Sequence, residues 1–277
     1  MAPKQLILLG FMPFLLTGLR AQQAPIGQSR WSVSILAGLN IPTGKFGGKN
    51  FADSTQSFAQ TGPSVSLQLN YRLHRSLGLS LLLTGQENTV NTFAMEQQIE
   101  NANPDEIIDI SSGTWKIGKI MAGPTWSHPI GTGRWELTVK GMAGVLKTSE
   151  PQQTFSGSKG FINPGGGLGG GGVVSTFEFY SGKQTAPWTF SWLGGAGLRF
   201  KINTRWSFLT DIDYSAASIK VPYVGSHSGF LTPIGTGPII IGSGGTPPVL
   251  IGQPGAQPHY SLPVTSLSAH FGMEFRF

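Results

Sequence analysis

The sequence predicts an all-β protein, namely an eight-stranded antiparallel transmembrane β-barrel with short periplasmic turns and long extracellular loops. Three observations support this prediction: eight segments in which apolar residues recur at every second position, connections that alternate between short and long, and an N-terminus with the features of a signal peptide. No later segment is a continuous apolar run of helical spanning length. Such a chain crosses a membrane only as a closed sheet, in which every backbone group is hydrogen-bonded.

The N-terminus is predicted to be a secretory signal peptide. Lys4 provides a positive charge, residues 6–19 are mostly apolar, and Ala21 is a small residue at which cleavage is expected. The apolar run is too short for a transmembrane helix. We therefore predict a signal peptide over residues 1–21 and an outer-membrane β-barrel domain over residues 22–277.

The composition excludes several kinds of site. The chain has no cysteine, which excludes a lipidated N-terminus, a disulfide framework and thiolate metal ligands. Its net charge of +6 falls by two when Lys4 and Arg20 leave with the signal peptide. No basic run stands out, so no nucleic-acid partner is predicted.

Eight segments have the two-residue period of strands with one lipid-facing side. Their lengths, mostly about 9–11 residues, suit tilted strands that cross a bilayer. In chain order, with the main apolar residues of the outward side, they are Trp31–Ile41 (Trp, Val, Ile, Ala, Leu, Ile), Pro63–Leu73 (Val, Leu, Leu, Tyr), Leu77–Leu83 (four Leu), Thr114–Trp126, Trp135–Val145 (Trp, Leu, Val), Phe190–Ile202 (Phe, Trp, Ala, Leu, Phe), Trp206–Tyr214 (Trp, Phe, Ile, Tyr) and Leu267–Phe277 (Leu, Ala, Phe, Met, Phe, Phe).

Two of these segments have the least and the most regular alternation of the eight. In Thr114–Trp126, Trp115 and Ile117 are out of phase with the apolar residues that follow, so a β-bulge is expected near Gly118-Lys119. The last segment alternates without exception and places Glu274 and Arg276 on its polar side. A soluble sandwich would have to bury one of the two sides, so hydrocarbon outside and water inside explain this strand better.

The lengths of the connections set the topology. Short connections surround residues 74–76, 131–134 and 203–205, and long ones cover residues 42–61, 88–113, 148–187 and 216–262. With the N-terminus in the periplasm, all long connections lie outside and all short ones inside. Thr176–Tyr180, in the third long connection, also alternates; it either extends the sheet above the membrane or belongs to a ten-stranded barrel.

Aromatic residues are placed where the strands meet the periplasmic side. Tryptophans open outward-running strands, and other aromatic residues close the inward-running ones. They are predicted to form an interfacial girdle at headgroup depth, consisting of Trp31, Tyr71, Trp126, Trp135, Phe200, Trp206 and Phe277. The candidates for an outer girdle are Trp115, Trp188, Trp192 and Tyr214.

With this architecture and its alternating terminal strand, the chain resembles small eight-stranded outer-membrane barrels. These are the OmpX/Ail group, the membrane half of OmpA and the generic outer-membrane protein beta-barrel domain family, and the resemblance covers roughly residues 31–277. It implies a location in the bacterial outer membrane, with Phe275 and Phe277 as a signal read by the insertion machinery. It further implies a structural or adhesive role carried by the loops, and no shared chemistry.

The inward positions predict a charged interior. An eight-stranded barrel has room only for side chains, so we interpret this set as a network of ion pairs and water that fills the lumen. The alternative is a narrow ion path, as in a porin-like channel. The predicted lumen residues are Gln68, Asn70, Arg72, Glu136, Lys140, Arg199, Lys201, Asp211, Asp213, His270, Glu274 and Arg276.

Catalytic, cofactor and metal sites are not predicted. His259-Tyr260-Ser261 resembles the His-x-Ser pair of lipid A deacylase barrels, which makes a lipid A-modifying hydrolase the second alternative, but a nucleophilic serine also needs an oriented third group. Residues 165–170 match a dinucleotide-binding fingerprint without the βαβ context that this fingerprint requires. The five histidines have no metal-ligand spacing.

The long loops are the predicted contact surface. The second loop is acidic, which predicts either a solvated face or a weak site for a divalent ion or a cationic partner. Apolar segments at residues 239–241 and 249–251 favour contact with an unknown extracellular partner. The other predicted partners are outer-membrane lipid and the insertion machinery. The acidic residues of the second loop are Glu96, Glu100, Asp105, Glu106 and Asp109.

Overall fold

The computed structural model describes residues 30–50, 53, 56–102, 104, 106–131, 133–161, 173–181, 185–222, 225–226 and 259–277. The predicted signal peptide, the glycine tract and the two apolar segments of the last loop lie outside these residues.

The described residues form twelve strands and one helix. In chain order they are β1 (Trp31–Thr43), β2 (Gly62–Arg72), β3 (Leu77–Thr89), α1 (Thr92–Ala102), β4 (Glu106–Ser112), β5 (Thr114–Ile130), β6 (Trp135–Ser149), β7 (Gln153–Phe161), β8 (Val173–Ser181), β9 (Thr189–Lys201), β10 (Trp206–Pro222), β11 (Gly225–Ser226) and β12 (His259–Arg276). Eight strands close a barrel in the order β1-β12-β10-β9-β6-β5-β3-β2, with all neighbours antiparallel. The predicted eight-stranded antiparallel barrel is confirmed.

The helix α1 has 11 residues. Within the described ranges, no helix is both long and apolar enough to cross a membrane.

The three short connections lie together at one end of the barrel, as predicted. This turn end contains residues 73–76, 131–134 and 202–205, and the long connections leave from the opposite, loop end. Gly131 and Gly133 have φ angles of 58° and 80°, in the left-handed region that glycine adopts without steric strain. This turn therefore depends on its two glycines.

Several strands are longer than predicted, always at the loop end. β3 continues to Thr89, and β10 and β12 stay paired as far as Pro222 and His259. These extensions are rich in serine and threonine, so the apolar alternation does not reveal them. The backbone ladder continues because both strands of each pair leave the apolar zone together.

The predicted β-bulge in β5 is wrong. The register with β3 runs without interruption through Gly85↔Gly118 and Thr84↔Lys119. Trp115 and Ile117 instead point into the barrel, where both are buried. Trp115 is therefore not part of an outer aromatic girdle.

The apolar residues change sides near the loop end, and this explains the irregular pattern of β5. On β6, Leu146 is buried inside while Lys147 is exposed outside. On β10, Ile219 is buried and Lys220 is exposed. The alternation thus inverts without any change of register, because the outer face becomes polar where the interior becomes apolar.

A second sheet lies beyond the loop end, with four strands in the order β11-β8-β7-β4. The predicted segment Thr176–Tyr180 belongs to β8, which pairs with β7 and β11. It extends a sheet outside the barrel, so the ten-stranded alternative is wrong.

An apolar cluster closes the loop end of the barrel, and we call it the plug. It joins the first long loop, α1 and β4 to the inner faces of β5, β6, β10 and β12. The Phe46 ring packs edge-on against Trp115, with 5.6 Å between the ring centroids. The plug consists of Phe46, Phe58, Ala59, Val90, Met95, Ile108, Ile110, Trp115, Ile117, Leu146, Ala186, Ile219, Leu262 and Val264.

Candidate functional site in the barrel lumen and at its two ends

The outer face of the barrel is an apolar belt. Large apolar side chains are exposed on all eight barrel strands, reaching 63% at Ile35 and 67% at Phe190. Continuous apolar surface of this extent is rare on soluble monomers and marks contact with an apolar phase. One exposed residue from each strand, in chain order, is Ile35, Val65, Leu81, Ile120, Val139, Phe190, Ile212 and Phe271.

Aromatic pairs border this belt at the turn end. Each pair joins neighbouring strands, because the register places a tryptophan of an outward strand beside an aromatic residue of an inward one. The ring centroids are 4.6 Å apart for Trp31 and Tyr71, 4.8 Å for Trp135 and Phe200, and 4.9 Å for Trp206 and Phe275. Trp126 stacks on His128 at 5.5 Å, and Phe277 packs edge-on against Phe275 at 5.4 Å. All seven predicted girdle residues thus lie at the turn end.

Glu136 is the centre of the ionic layer nearest the turn end. Its carboxylate accepts hydrogen bonds from Arg199 Nη1 at 2.8 Å, and Lys201 Nζ lies 2.8 Å from it. Arg276 and Arg72 approach the same carboxylate at 3.5 and 3.9 Å. Four cations from β2, β9 and β12 thus converge on one glutamate of β6.

Glu274 is the second carboxylate of this layer and is fully buried. It accepts hydrogen bonds from Arg199 Nη2 at 2.7 Å and from Arg276 Nε at 3.0 Å. Arg199 therefore bridges two carboxylates, one on β6 and one on β12. This bridge ties together strands that are not neighbours in the barrel.

Lys140 is the centre of the next layer. Its Nζ lies 2.9 Å from both the Asp211 and the Asp213 carboxylates. Two glycines of β9 make room for this arrangement: a Cβ at Gly195 would collide with Asp213, and a Cβ at Gly197 with Asp211. Because Gly195 lies between Lys140 and Asp213 in the register, the missing side chain lets this pair meet.

His270 extends the same layer across the lumen. Its Nδ1 lies 3.6 Å from the Asp213 carboxylate, and its Nε2 lies 2.6 Å from Ser64 Oγ. The predicted Gln68 and Asn70 also face inward, and Gln68 Nε2 donates to Asn70 Oδ1 at 2.6 Å. The structure thus brings all twelve predicted lumen residues into the barrel interior.

Two kinds of lumen residue were not predicted. Lys119 is buried and donates to Ser215 Oγ at 2.6 Å; it was missed because the predicted bulge obscured its side of β5. Leu82, Met121, Met142 and Leu193 form an apolar cluster among the polar layers. Residues of this type are not distinguishable by hydropathy from lipid-facing ones, so only strict strand register could have identified them.

Little open space is left inside the barrel. A cavity of about 50 Å³ at the turn end has room for a few water molecules. Arg72, Lys140, Arg199, Asp211 and Arg276 are among its lining residues. The cavity thus lies among the ionic layers, and the plug lies farther toward the loop end.

The structure places the remaining sequence candidates at the loop end. Ser261 is exposed, and its hydroxyl lies 2.7 Å from that of Ser218; the side chains of His259 and Tyr260 lie outside the described part. Among the described residues, no group of three or more His, Cys, Asp or Glu side chains is arranged to hold a metal ion. Glu96 of α1 accepts a hydrogen bond from the Ile110 backbone N–H at 2.9 Å, which joins the helix to β4.

The other predicted acidic residues are dispersed. Glu100 lies on α1 and Asp109 on β4, and Asp105 lies outside the described residues. Glu106 begins β4. The hydrogen bond accepted by Glu96 is therefore structural, because it joins α1 to β4.

Comparison with known proteins finds similar structures. No protein-family model matches the sequence, and no curated protein matches it. Among solved structures, Neisserial surface protein A has 12% identity and a TM-score of 0.45, with 91% of this chain and 99% of that one covered. Outer Membrane Protein W of E. coli has 14% identity and a TM-score of 0.40, with coverages of 90% and 98%.

A third similar structure is Ail, the attachment invasion locus protein of Yersinia pestis. It has 12% identity and a TM-score of 0.37, and the match covers 89% of this chain and 98% of that one. These values are low, and the fold assignment rests on the closed strand order of the chain itself.

Proposed function

We propose that the protein is a bacterial outer-membrane β-barrel whose loop-end elements form an extracellular contact surface, with a structural or adhesion-like role. The observation that carries this proposal is the division between a lipid-suited barrel with a filled interior and a separate four-stranded sheet beyond its loop end. Insertion into a membrane requires only the barrel. The additional sheet indicates a task outside the membrane.

The membrane part of the proposal rests on the outer face. Residues 1–21 direct export, with cleavage near Ala21, and the turn end then lies in the periplasm. The aromatic pairs of the turn end form the interfacial girdle against lipid. Phe275 and Phe277 at the end of β12 serve as the signal for the insertion machinery.

The contact part rests on exposed apolar side chains at the loop end. Phe93 on α1 is 66% exposed and Ile107 on β4 is 72% exposed. Both lie outside the barrel belt, where contact with lipid does not explain their exposure. Exposed apolar residues on folded elements commonly mark contact with another protein or surface.

The filled lumen weighs against the channel alternative. An ion would have to displace two layers of buried ion pairs and then pass the apolar plug. Under this proposal the lumen residues hold the barrel together, because their ion pairs join strands across it. No enzymatic role is proposed; the described contact of the Ser261 side chain is with the hydroxyl of Ser218.

The contact surface is tested with cells that express the protein at their surface. We predict that the double variant Phe93→Ser/Ile107→Ser lowers attachment to a panel of extracellular-matrix proteins and abiotic surfaces, since it removes the large exposed apolar side chains of α1 and β4. Attachment is counted relative to cells with an empty vector. Heat-dependent migration of the extracted protein on gels verifies that the variant still forms a barrel.

Gln97→Ser is the matched control, because Gln97 is an exposed polar residue of the same helix. Attachment equal to the empty vector for the unmodified protein would contradict the adhesion-like role. If the double variant attached as well as the control, the contact surface would lie elsewhere than on α1 and β4.

A further inference from the structure

Three of the four outward strands begin with the same dipeptide. Arg30-Trp31 opens β1, Arg134-Trp135 opens β6, and Arg205-Trp206 opens β10. The fourth outward strand, β3, follows Arg75-Ser76. The three tryptophans are exposed on the outer face, so the pleat places each preceding arginine on the lumen side of the rim.

The three arginines occupy equivalent positions in the hydrogen-bond ladder. The carbonyl oxygens of Arg30, Arg134 and Arg205 each accept a backbone hydrogen bond at 2.8 Å from the neighbouring inward strand. The three donors are themselves basic residues, namely Arg72, Lys201 and Arg276. Each of these three sites thus places two cationic side chains side by side at the turn-end opening of the barrel, which we call the mouth.

The side-chain charges at this mouth do not balance. Arg72, Lys201, Arg276 and the buried Arg199 share only two carboxylates, Glu136 and Glu274. For Arg30, Arg134 and Arg205, no ion pair with a carboxylate occurs among the residues that the structure describes. The three turn segments, residues 73–76, 131–134 and 202–205, contain no Asp or Glu.

The mouth also contains unused hydrogen-bond donors. Within the described residues, the buried Arg199 Nε has no hydrogen-bond acceptor, and the buried Arg276 Nη2 has no hydrogen bond beyond its 3.5 Å ion-pair contact with the Glu136 carboxylate. Both arginines line the cavity of about 50 Å³, which Arg30 and Arg72 also line. Buried guanidinium donors without acceptors are costly, and an anion in this cavity would satisfy them.

We propose that the turn-end mouth of the barrel is a binding site for phosphate-bearing anions. Arginine recognises phosphate oxygens through paired N–H donors, and the concentration of positive charge in a narrow mouth attracts anions from solution. Arg30, Arg134 and Arg205 provide the outer contacts, and Arg199 and Arg276 line the inner end. The periplasmic position of the mouth rests on the proposed function, whereas the chemistry of the site does not.

Phosphate can reach this site from two sources, a soluble anion or the headgroup of an anionic phospholipid. The first arm of the test titrates inorganic pyrophosphate into the barrel in a sugar-based detergent, which carries no phosphate of its own. Binding is followed through the NMR signals of the arginine Nε–H groups. Sodium chloride at equal ionic strength separates binding from screening.

The second arm places the barrel in vesicles of phosphatidylcholine, alone or with an equal amount of phosphatidylglycerol. The unfolding midpoint in urea is compared between the two compositions. Stabilisation by phosphatidylglycerol that depends on the mouth arginines identifies the headgroup as the source. A response to pyrophosphate in detergent identifies a soluble anion.

The test variant is the triple substitution Arg30→Gln/Arg134→Gln/Arg205→Gln. All three side chains are exposed, so the fold is retained, and we expect binding or lipid-dependent stabilisation to weaken about tenfold or more. The matched control is Lys116→Gln/Lys147→Gln/Lys220→Gln, which removes three exposed cations from the loop end. This control leaves the response unchanged.

Three results would overturn the site. They are the absence of any response in both arms, a response that sodium chloride reproduces, and equal losses in the two triple variants. A barrel that folds in detergent and in vesicles but responds to neither pyrophosphate nor phosphatidylglycerol contradicts this inference alone. A protein that cell fractionation finds outside the outer membrane contradicts the proposed function alone.

Discussion

Arg199 has the most consequential position of any single residue in the lumen. It is buried, and its two terminal nitrogens bind carboxylates of β6 and β12. Removing one partner of a buried ion pair leaves an uncompensated charge, which is far more damaging than the net value of the pair. Glu274, which is fully buried, would keep only Arg276.

We predict that Arg199→Met lowers the free energy of unfolding by about 3 kcal/mol or more. Urea titration of the barrel in vesicles measures this change. Lys201→Met is the control, because it also removes a cation from Glu136 but from a partly exposed position, and about 1 kcal/mol is expected there. Equal losses for the two variants would show that the bridge to Glu274 has no special weight.

At the residue scale, the charged lumen was largely predictable from sequence, and its apolar members were not. Glu136, Lys140 and Arg199 alternate with apolar residues along their strands, and a charged residue marks the side of a strand that faces the lumen. Met121 and Met142 face inward without differing in hydropathy from lipid-facing neighbours. Only the register, which aligns each strand with its neighbours, shows that these two methionines face inward.

At the scale of the strand, the assumption that failed is that one face stays apolar along its whole length. β5 has Ile120 outside and Ile117 inside, with Lys116 outside at the loop end. A strand that leaves hydrocarbon exchanges the environments of its two faces, because the outside becomes water and the inside becomes the plug. An inversion of the alternation therefore marks where the belt ends, and a bulge is not needed to explain it.

The loop-end edge of the apolar belt can be tested with arginine substitutions on β3. Leu81 and Gly85 lie on the same outer face, with Leu81 inside the belt and Gly85 at its loop-end edge, between Leu83 and Glu87, and a side chain at Gly85 meets no atom within 4 Å. We predict that Leu81→Arg lowers the free energy of unfolding in vesicles by about 2–4 kcal/mol, and Gly85→Arg by about 1 kcal/mol or less. Similar losses at both positions would contradict the assigned edge.

At the scale of the whole molecule, the barrel was predictable, whereas only one segment of the second sheet, Thr176–Tyr180, was indicated by the sequence. The barrel strands each carry a periodic signal, and short turns join three of the neighbouring pairs. The second sheet pairs β4 with β7 and β8 with β11, although long stretches of sequence separate them. Apart from Thr176–Tyr180 in β8, the sequence of these strands shows no alternation that distinguishes them from loops.

Two different barriers to ions, the plug and the ionic layers, lie in series in the interior of the barrel. The plug excludes water at the loop end, while the ionic layers occupy the turn end with paired charges. We predict that the protein gives no discrete conductance in planar bilayers. Phe46→Ala/Trp115→Ala, which removes the packed ring pair of the plug, also stays closed, because the layers around Glu136 and Lys140 remain. Unitary currents from the unmodified protein would contradict the filled lumen. Currents from the plug variant alone would show that the ionic layers admit ions and that the plug is the only barrier.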